Sequence, residues 1–173
     1  MAVAVRGRFT CLDTRVGKVE SGSSGTGGTG DDELARSKLA GARVARLATV
    51  SDDGRPHLVP VTFSLDGDRI VTAVDHKPKT TTHLRRLRNI HVNPNVCVLA
   101  DHYDEDWTRL WWVRADGFAT ILEPGEERVP DLLAPLVAKY PQYTERVPEG
   151  PVILIEVTRY SSWSALAVPA GTE

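Results

Sequence analysis

Lys77, Lys79 and the threonines Thr80, Thr81 and Thr82 crowd around Pro78, and Arg85, Arg86 and Arg88 follow closely. Ammonium groups, hydroxyls and guanidinium groups at one corner have the chemistry of an anion site. The cations supply charge, and the hydroxyls and nearby amide N–H groups supply directed hydrogen bonds. Pro78 and the threonines predict a helix that opens at this corner and runs to about Ile90, ending before Asn93-Pro94. Its N-terminus would add a partial positive charge. On such a helix Arg85 and Arg88 share a face and Arg86 points elsewhere. A solvated basic turn has the same local sequence, so at this point a phosphate clamp and a plain turn both remain open.

Other reactive residues carry weaker signals. Asp101-His102-Tyr103 and Asp104-Glu105-Asp106 form an acidic loop with one histidine, which reads as a solvated loop in the absence of a metal-ligand spacing or a paired nucleophile. Trp111 and Trp112 are adjacent and must face opposite sides of a strand, so one fills a core and the other needs an interface or a ligand. The chain has no Walker-type loop, no G-x-G-x-x-G, no serine nucleophile elbow and no H-E-x-x-H, so no catalytic residue is singled out and no metal site is expected.

The elements that must position these residues are mostly strands. Asp31-Asp32-Glu33 suits a helix N-terminus, with Leu34, Leu39 and alanines as its apolar side and Gly41 as its stop. Strands are predicted from Arg43 to Val50 and from Arg55 to Leu65, with the turn Ser51-Asp52-Asp53-Gly54 between them. A second Asp66-Gly67 turn leads to a strand from Arg69 to Val74, and two such turns in succession signal an antiparallel meander. His57, Val59, Val61 and Phe63 share one face of the second strand, and Leu58, Pro60 and Thr62 share the other. Pro60 cannot donate to a ladder and marks an edge or a bulge. Further strands are expected from Asn95 to Asp101, from Leu110 to Leu122 with a bulge or close approach at Gly117, and from Val152 to Thr158. A helix is expected from Glu126 to Tyr140. Short strands at this spacing favour a closed or half-closed antiparallel barrel. A flat apolar strand wall beside a local anion site is what a flavin-like ring with a phosphorylated tail requires.

Composition bounds the rest. The chain has 173 residues, enough for one domain and a tail. Residues 1–30 end in a Gly/Ser/Thr run and are read as a disordered Gly/Ser-rich tail, with residues 31–173 as the folded domain. Lys+Arg number 21 against 23 Asp+Glu, so no global basic field draws nucleic acid and any anion site must be local. No apolar run is long enough to span a bilayer, the N-terminus lacks a signal-peptide core, and Cys97 within Val96-Cys97-Val98-Leu99 reads as a buried thiol; the expectation is a cytoplasmic protein.

The segment from Ala45 to Val50, the run Gly54-Arg55-Pro56-His57-Leu58-Val59-Pro60-Val61-Thr62-Phe63, Asp66-Gly67, the strand Ile70–Val74 and Lys77-Pro78-Lys79 carry a resemblance. So do Leu84-Arg85-Arg86, Asn93-Pro94-Asn95-Val96, and Val113-Arg114 with Gly117-Phe118-Ala119. In order and spacing these resemble the pyridoxamine-phosphate-oxidase-like family, and more narrowly its branch that binds the deazaflavin coenzyme F420, over roughly residues 33–165. The resemblance implies a mainly β fold, the FMN-binding-like split β-barrel, and a homodimer with two equal sites between subunits. It implies coenzyme phosphate near Lys77, Lys79, Thr80 and Arg86, with the ring against the backbone of Val59, Pro60, Val61 and Thr72. The implied activity is hydride transfer between reduced deazaflavin and a small organic substrate. FMN as the coenzyme is the alternative, as is a non-catalytic flavin or haem binder, for which His57, His76, His83, His91 and His102 are ligand candidates by residue type. The chain lacks a Ser-Arg-Lys phosphate run at the equivalent corner, which speaks against pyridoxal phosphate synthesis itself.

Overall fold

Helix α1 (Thr29–Gly41) carries Asp31 and Asp32 in its first turn and Lys38 in its last, charges that suit its dipole. Its apolar side is narrower than the sequence suggests. Ala35 and Leu39, one turn apart, are buried, whereas Leu34 is turned to solvent. The computed structural model describes residues 29–75 and 84–165.

Strands β1 (Ala45–Val50) and β2 (Pro56–Val61) form the first hairpin. At its turn the Gly54 N–H donates to the Ser51 carbonyl at 2.9 Å, and Gly54 takes φ +78, a conformation that favours glycine. The second hairpin joins β3 (Ser64–Asp66) to β4 (Arg69–Ala73). The single strand expected from Arg55 to Leu65 is therefore two strands, broken at Thr62 and Phe63. The break has a long-range cause: the Tyr140 hydroxyl accepts from the Phe63 N–H at 3.1 Å and lies 3.0 Å from the Phe63 carbonyl, occupying groups that a ladder would use.

Helix α2 (Arg85–Val92) and strand β5 (Asn95–His102) follow, then a 3-10 turn (Trp107–Arg109) and the long strand β6 (Trp111–Leu122). The helix expected from Glu126 to Tyr140 is shorter, α3 (Val129–Lys139), and a separate α4 (Pro141–Glu145) begins at its proline. Strand β7 (Val152–Ser164) runs six residues beyond the expected end at Thr158.

The strands make one antiparallel sheet in the order β2-β1-β5-β6-β7-β4-β3. Strands β2 and β3 are thus the two edges, yet only Thr62 and Phe63 separate them in sequence. That span reaches at most roughly 10 Å, so the sheet must curl until its edges approach. The result is the mainly β, split-barrel architecture.

One face of the curl encloses Leu47, Phe63, Ile70, Val98, Val113, Ala115, Ile153 and Ile155, with Ala35 and Leu39 of α1 closing one end. Helices α3 and α4 cover the other face of β4 and β7 through Leu133, Leu136, Tyr140 and Tyr143 against Val71, Val152 and Leu154. Gly117 marks a close approach, as its sequence position suggests: the register shifts between Asp116 and Gly117, and a Cβ there would lie 2.3 Å from the Glu156 carbonyl oxygen. Cys97 departs from the expectation of a buried thiol. Strand alternation sends Val96 and Val98 inward and leaves Cys97 half-buried on the outer face, where burial and the facing Asp116 push its thiol up to about 11. Trp111 packs against the core, while Trp112 lies on the outer face opposite Trp163.

Candidate functional site

The approach of the two sheet edges leaves a cleft of about 150 Å³. Its walls are Pro60, Val61 and Thr62 at the end of β2, Thr72, Ala73 and Asp75 at the end of β4, and Arg86 of α2. Both strands offer unpaired backbone here. Among the described residues strand β2 has no neighbour on its outer edge, and β3 pairs with β4 only as far as Val71, so no described strand lies beside Thr72 and Ala73 on that side. Free amide and carbonyl groups at such edges can hydrogen-bond the rim of a planar heterocycle.

Four residues singled out in the sequence, Pro60, Val61, Thr72 and Arg86, meet in this cleft. Val59 does not line it. Facing Leu47 across the β1–β2 ladder, its side chain packs against the core, because alternation turns it inward while Pro60 faces out. Lys77, Lys79 and Thr80 lie outside the described residues. The helix expected at that corner begins later than the sequence suggests. Leu84 holds the N-cap position of α2 in an extended conformation with no side-chain cap, and Thr80, Thr81 and Thr82, the caps the sequence suggests, lie outside the described residues.

Arg86 is the cation at the cleft. On α2 it is half-buried while Arg85 and Arg88 are exposed, as their spacing suggests. Burial lowers the guanidinium pKa and the nearby Asp75 carboxylate opposes the shift, while an arginine carries its charge throughout the physiological range. Among the described residues no carboxylate reaches it within ion-pair distance, so a partly desolvated cation faces the cleft without a contacting counter-ion. The residues present therefore fit a planar ring that carries an anionic tail. His57 lies nearby on the inner face of β2, where burial and then Arg85 and Arg86 lower its pKa, and its Nδ1 is buried without a partner.

The acidic loop is more ordered than a merely solvated one. The Asp104 carboxylate accepts from the Asp106 N–H at 3.1 Å and pairs with Arg109 at 3.0 Å, while Asp106 caps the 3-10 turn at Thr108. His102 stacks on Trp111 in a different cleft, against α1. Among the described residues no cluster of metal-ligating side chains forms, and no helix is long and apolar enough to cross a membrane.

Sequence reasoning missed a second and larger cleft of about 520 Å³, which adjoins the first through Thr62 and Asp75. Tyr140, Tyr143, Arg43 and Arg146 line it. The Tyr143 hydroxyl sits 2.8 Å from the Thr62 hydroxyl and 3.3 Å from the Asp75 carboxylate, forming the partition between the two clefts. The Tyr-x-x-Tyr spacing at the start of α4 was the available signal, but its partners lie 68 and 81 residues away.

The family model described as pyridoxamine 5'-phosphate oxidase matches residues 31–164. The chain belongs to that family. Solved structures share the family's fold at low identity. A conserved hypothetical protein from Mycobacterium tuberculosis superposes with a TM-score of 0.62 at 21% identity, covering 83% of this chain and 91% of that one. A haem storage protein from Vibrio cholerae gives 0.58 at 15% identity, with 79% and 93% covered. An FAD-binding protein from Mesorhizobium loti gives 0.57 at 19% identity, with 75% and 91% covered. Within this pyridoxamine 5'-phosphate oxidase family member, none of the described histidines His57, His91 and His102 lines the edge cleft. His76 and His83 lie outside the described residues.

Proposed function

We propose that this protein is an F420-dependent oxidoreductase that transfers a hydride between reduced deazaflavin and a small organic substrate. The observation that carries the reading is Arg86, a half-buried cation with no ion-paired carboxylate among the described residues, at a cleft with two open strand edges. The coenzyme, when bound, supplies the hydride chemistry, and the chain supplies binding, orientation and shelter from water. Pro60, Val61 and Thr72 form the wall for the ring. Arg86, with Lys77, Lys79 and Thr80, holds the phosphate-bearing tail. The absence of a serine nucleophile elbow in the sequence suits a protein whose coenzyme carries the reaction.

A homodimer belongs to this reading. Ligand pockets typically enclose about 300–1,000 Å³, more than the 150 Å³ that one chain offers at the cleft. A second copy seated on the exposed outer sheet face would complete two equal sites. A cytoplasmic setting agrees with the composition and the free thiol of Cys97.

Parallel calorimetric titrations with F420 and FMN test the coenzyme. The expectation is that F420 binds and FMN binds more weakly. Arg86→Gln should weaken F420 binding by about ten- to a hundredfold, the equivalent of one charge-assisted hydrogen bond. Binding of FMN alone would move the protein to the flavin alternative, and a haem Soret band on the purified protein would favour the haem binder. Unchanged F420 affinity in Arg86→Gln would remove Arg86 from the site.

A further inference from the structure

The second cleft has a charge pattern that the coenzyme reading leaves unused. Arg43 and Arg146 stand at its wall, and neither has a carboxylate partner among the described residues. Arg43 is held in place rather than free to swing. Its Nη1 donates to the Lys139 carbonyl at 2.8 Å, and its guanidinium lies 4.8 Å from the centre of the Tyr140 ring. One nitrogen is thus occupied and the rest of the fork is available. Behind the wall, the buried Lys139 Nζ lies 5.7 Å from the Tyr140 ring centre and adds a third positive charge nearby. Among the described residues Asp75 is the one acidic lining residue, and it accepts from the Tyr143 hydroxyl. This local positive excess occurs in a chain whose net charge is −2. Tyr140 and Tyr143, with ring centres 5.7 Å apart, give the wall an aromatic side, and Val44, Thr62 and Gln142 complete the described lining. A volume of about 520 Å³ holds a small ring system.

We propose that this cleft, bounded by Arg43, Arg146, Tyr140 and Tyr143, is the substrate subsite and takes a planar aromatic molecule bearing a carboxylate. The proposal rests on the coenzyme reading for the word substrate, because Thr62 and Asp75 place the cleft beside the proposed ring site. The anion site itself rests on the side chains alone. Guanidinium forks bind carboxylates in two parallel hydrogen bonds, and tyrosine rings favour a planar partner. The carboxylate would sit between the arginines and the ring would extend toward Tyr143 and the partition with the coenzyme cleft.

The acidic tail of the coenzyme has the same carboxylate chemistry, so the test separates the two sources. The probes are 2-naphthoate and its neutral counterpart 2-naphthamide, titrated calorimetrically into the full chain with and without F420. The expected result is naphthoate binding at least about tenfold tighter than naphthamide, persisting when F420 is present. Arg146→Gln, an exposed position with little risk to folding, and Arg43→Gln should each weaken naphthoate about tenfold and leave both naphthamide and F420 affinity unchanged. Equal binding of the two probes, no binding of naphthoate at millimolar concentration, or unchanged naphthoate binding in both variants would overturn the proposal. Displacement of naphthoate by F420, with F420 itself weakened in the arginine variants, would also overturn it and assign the cleft to the coenzyme tail. If F420 fails to bind while naphthoate discrimination holds, the anion subsite is upheld and the coenzyme reading falls.

Discussion

A single hydroxyl organises the junction of the sheet edges. The Tyr140 oxygen accepts from the Phe63 N–H and lies within 3.0 Å of the carbonyls of Phe63 and Arg43, to one of which it donates. It does this from a ring only 5% exposed. Tyr140→Phe leaves the buried Phe63 amide unpaired, so it should cost about 1–3 kcal/mol in urea unfolding; an unchanged midpoint would mean the contact is dispensable. Next to it, Lys139 holds its ammonium 4.0 Å above the Phe63 ring with its Nζ buried and unpartnered. Burial, and then the charge of Arg43, push Lys139 down to about 8 from an ordinary 10.5. The folded state therefore binds fewer protons than the unfolded chain between those values, and stability rises with pH across that window. Below about pH 8 the lysine is charged in both states and the cost of burying it is fully present. Relative to Lys139→Met, the parent should gain stability between pH 8 and 10 in parallel thermal melts, and a constant difference would count against a depressed lysine.

Strand pairing decides how tightly the elements approach. Strands β6 and β7 pair along twelve registered positions, with one irregularity at Asp116/Gly117. Gly117 is required there because the neighbouring strand's backbone, not a flexible side chain, occupies the space a Cβ would need. Gly117→Ala should destabilise by about 1–3 kcal/mol or more, since the two longest strands must part to admit a methyl group. A loss under about 0.5 kcal/mol, the range of an ordinary surface change, would show that the ladder yields easily. Near the bulge, Asp116 ties the outer face together with Arg159 at 2.8 Å and Arg114 at 3.1 Å. Burial opposes its ionisation, but these guanidinium groups outweigh it and hold the carboxyl below the usual range.

At the scale of the whole molecule, the outer face of β1, β2, β5 and β6 is left uncovered by any described helix, and Leu58, Phe118 and Trp163 are about half exposed or more. Light scattering should give twice the chain mass of 18.9 kDa, and Phe118→Glu should return it to one chain mass while weakening F420 binding, because in the proposed dimer each site takes its second wall from the other copy. A Phe118→Glu monomer that binds F420 as tightly as the parent would mean that one chain holds the complete site. The sequence alone was enough for the local features: the glycines of both hairpin turns, at φ +78 and +59, the two-faced alternation along β2, and the close approach at Gly117. Those depend on the conformational range of single residues and on a two-residue period, which neighbours in the chain determine. The curl of the sheet, the break at Thr62-Phe63 and the meeting of Pro60, Val61, Thr72 and Arg86 were decided only by the tertiary structure. Each depends on a partner far along the chain, such as Tyr140 on Phe63 across 77 residues or β7 on β4. The second cleft was invisible for a similar reason: Tyr140, Tyr143 and Arg146 cluster around α4, but Arg43, Thr62 and Asp75 lie far from them in the chain, and only the packing of α4 against the sheet brings them together.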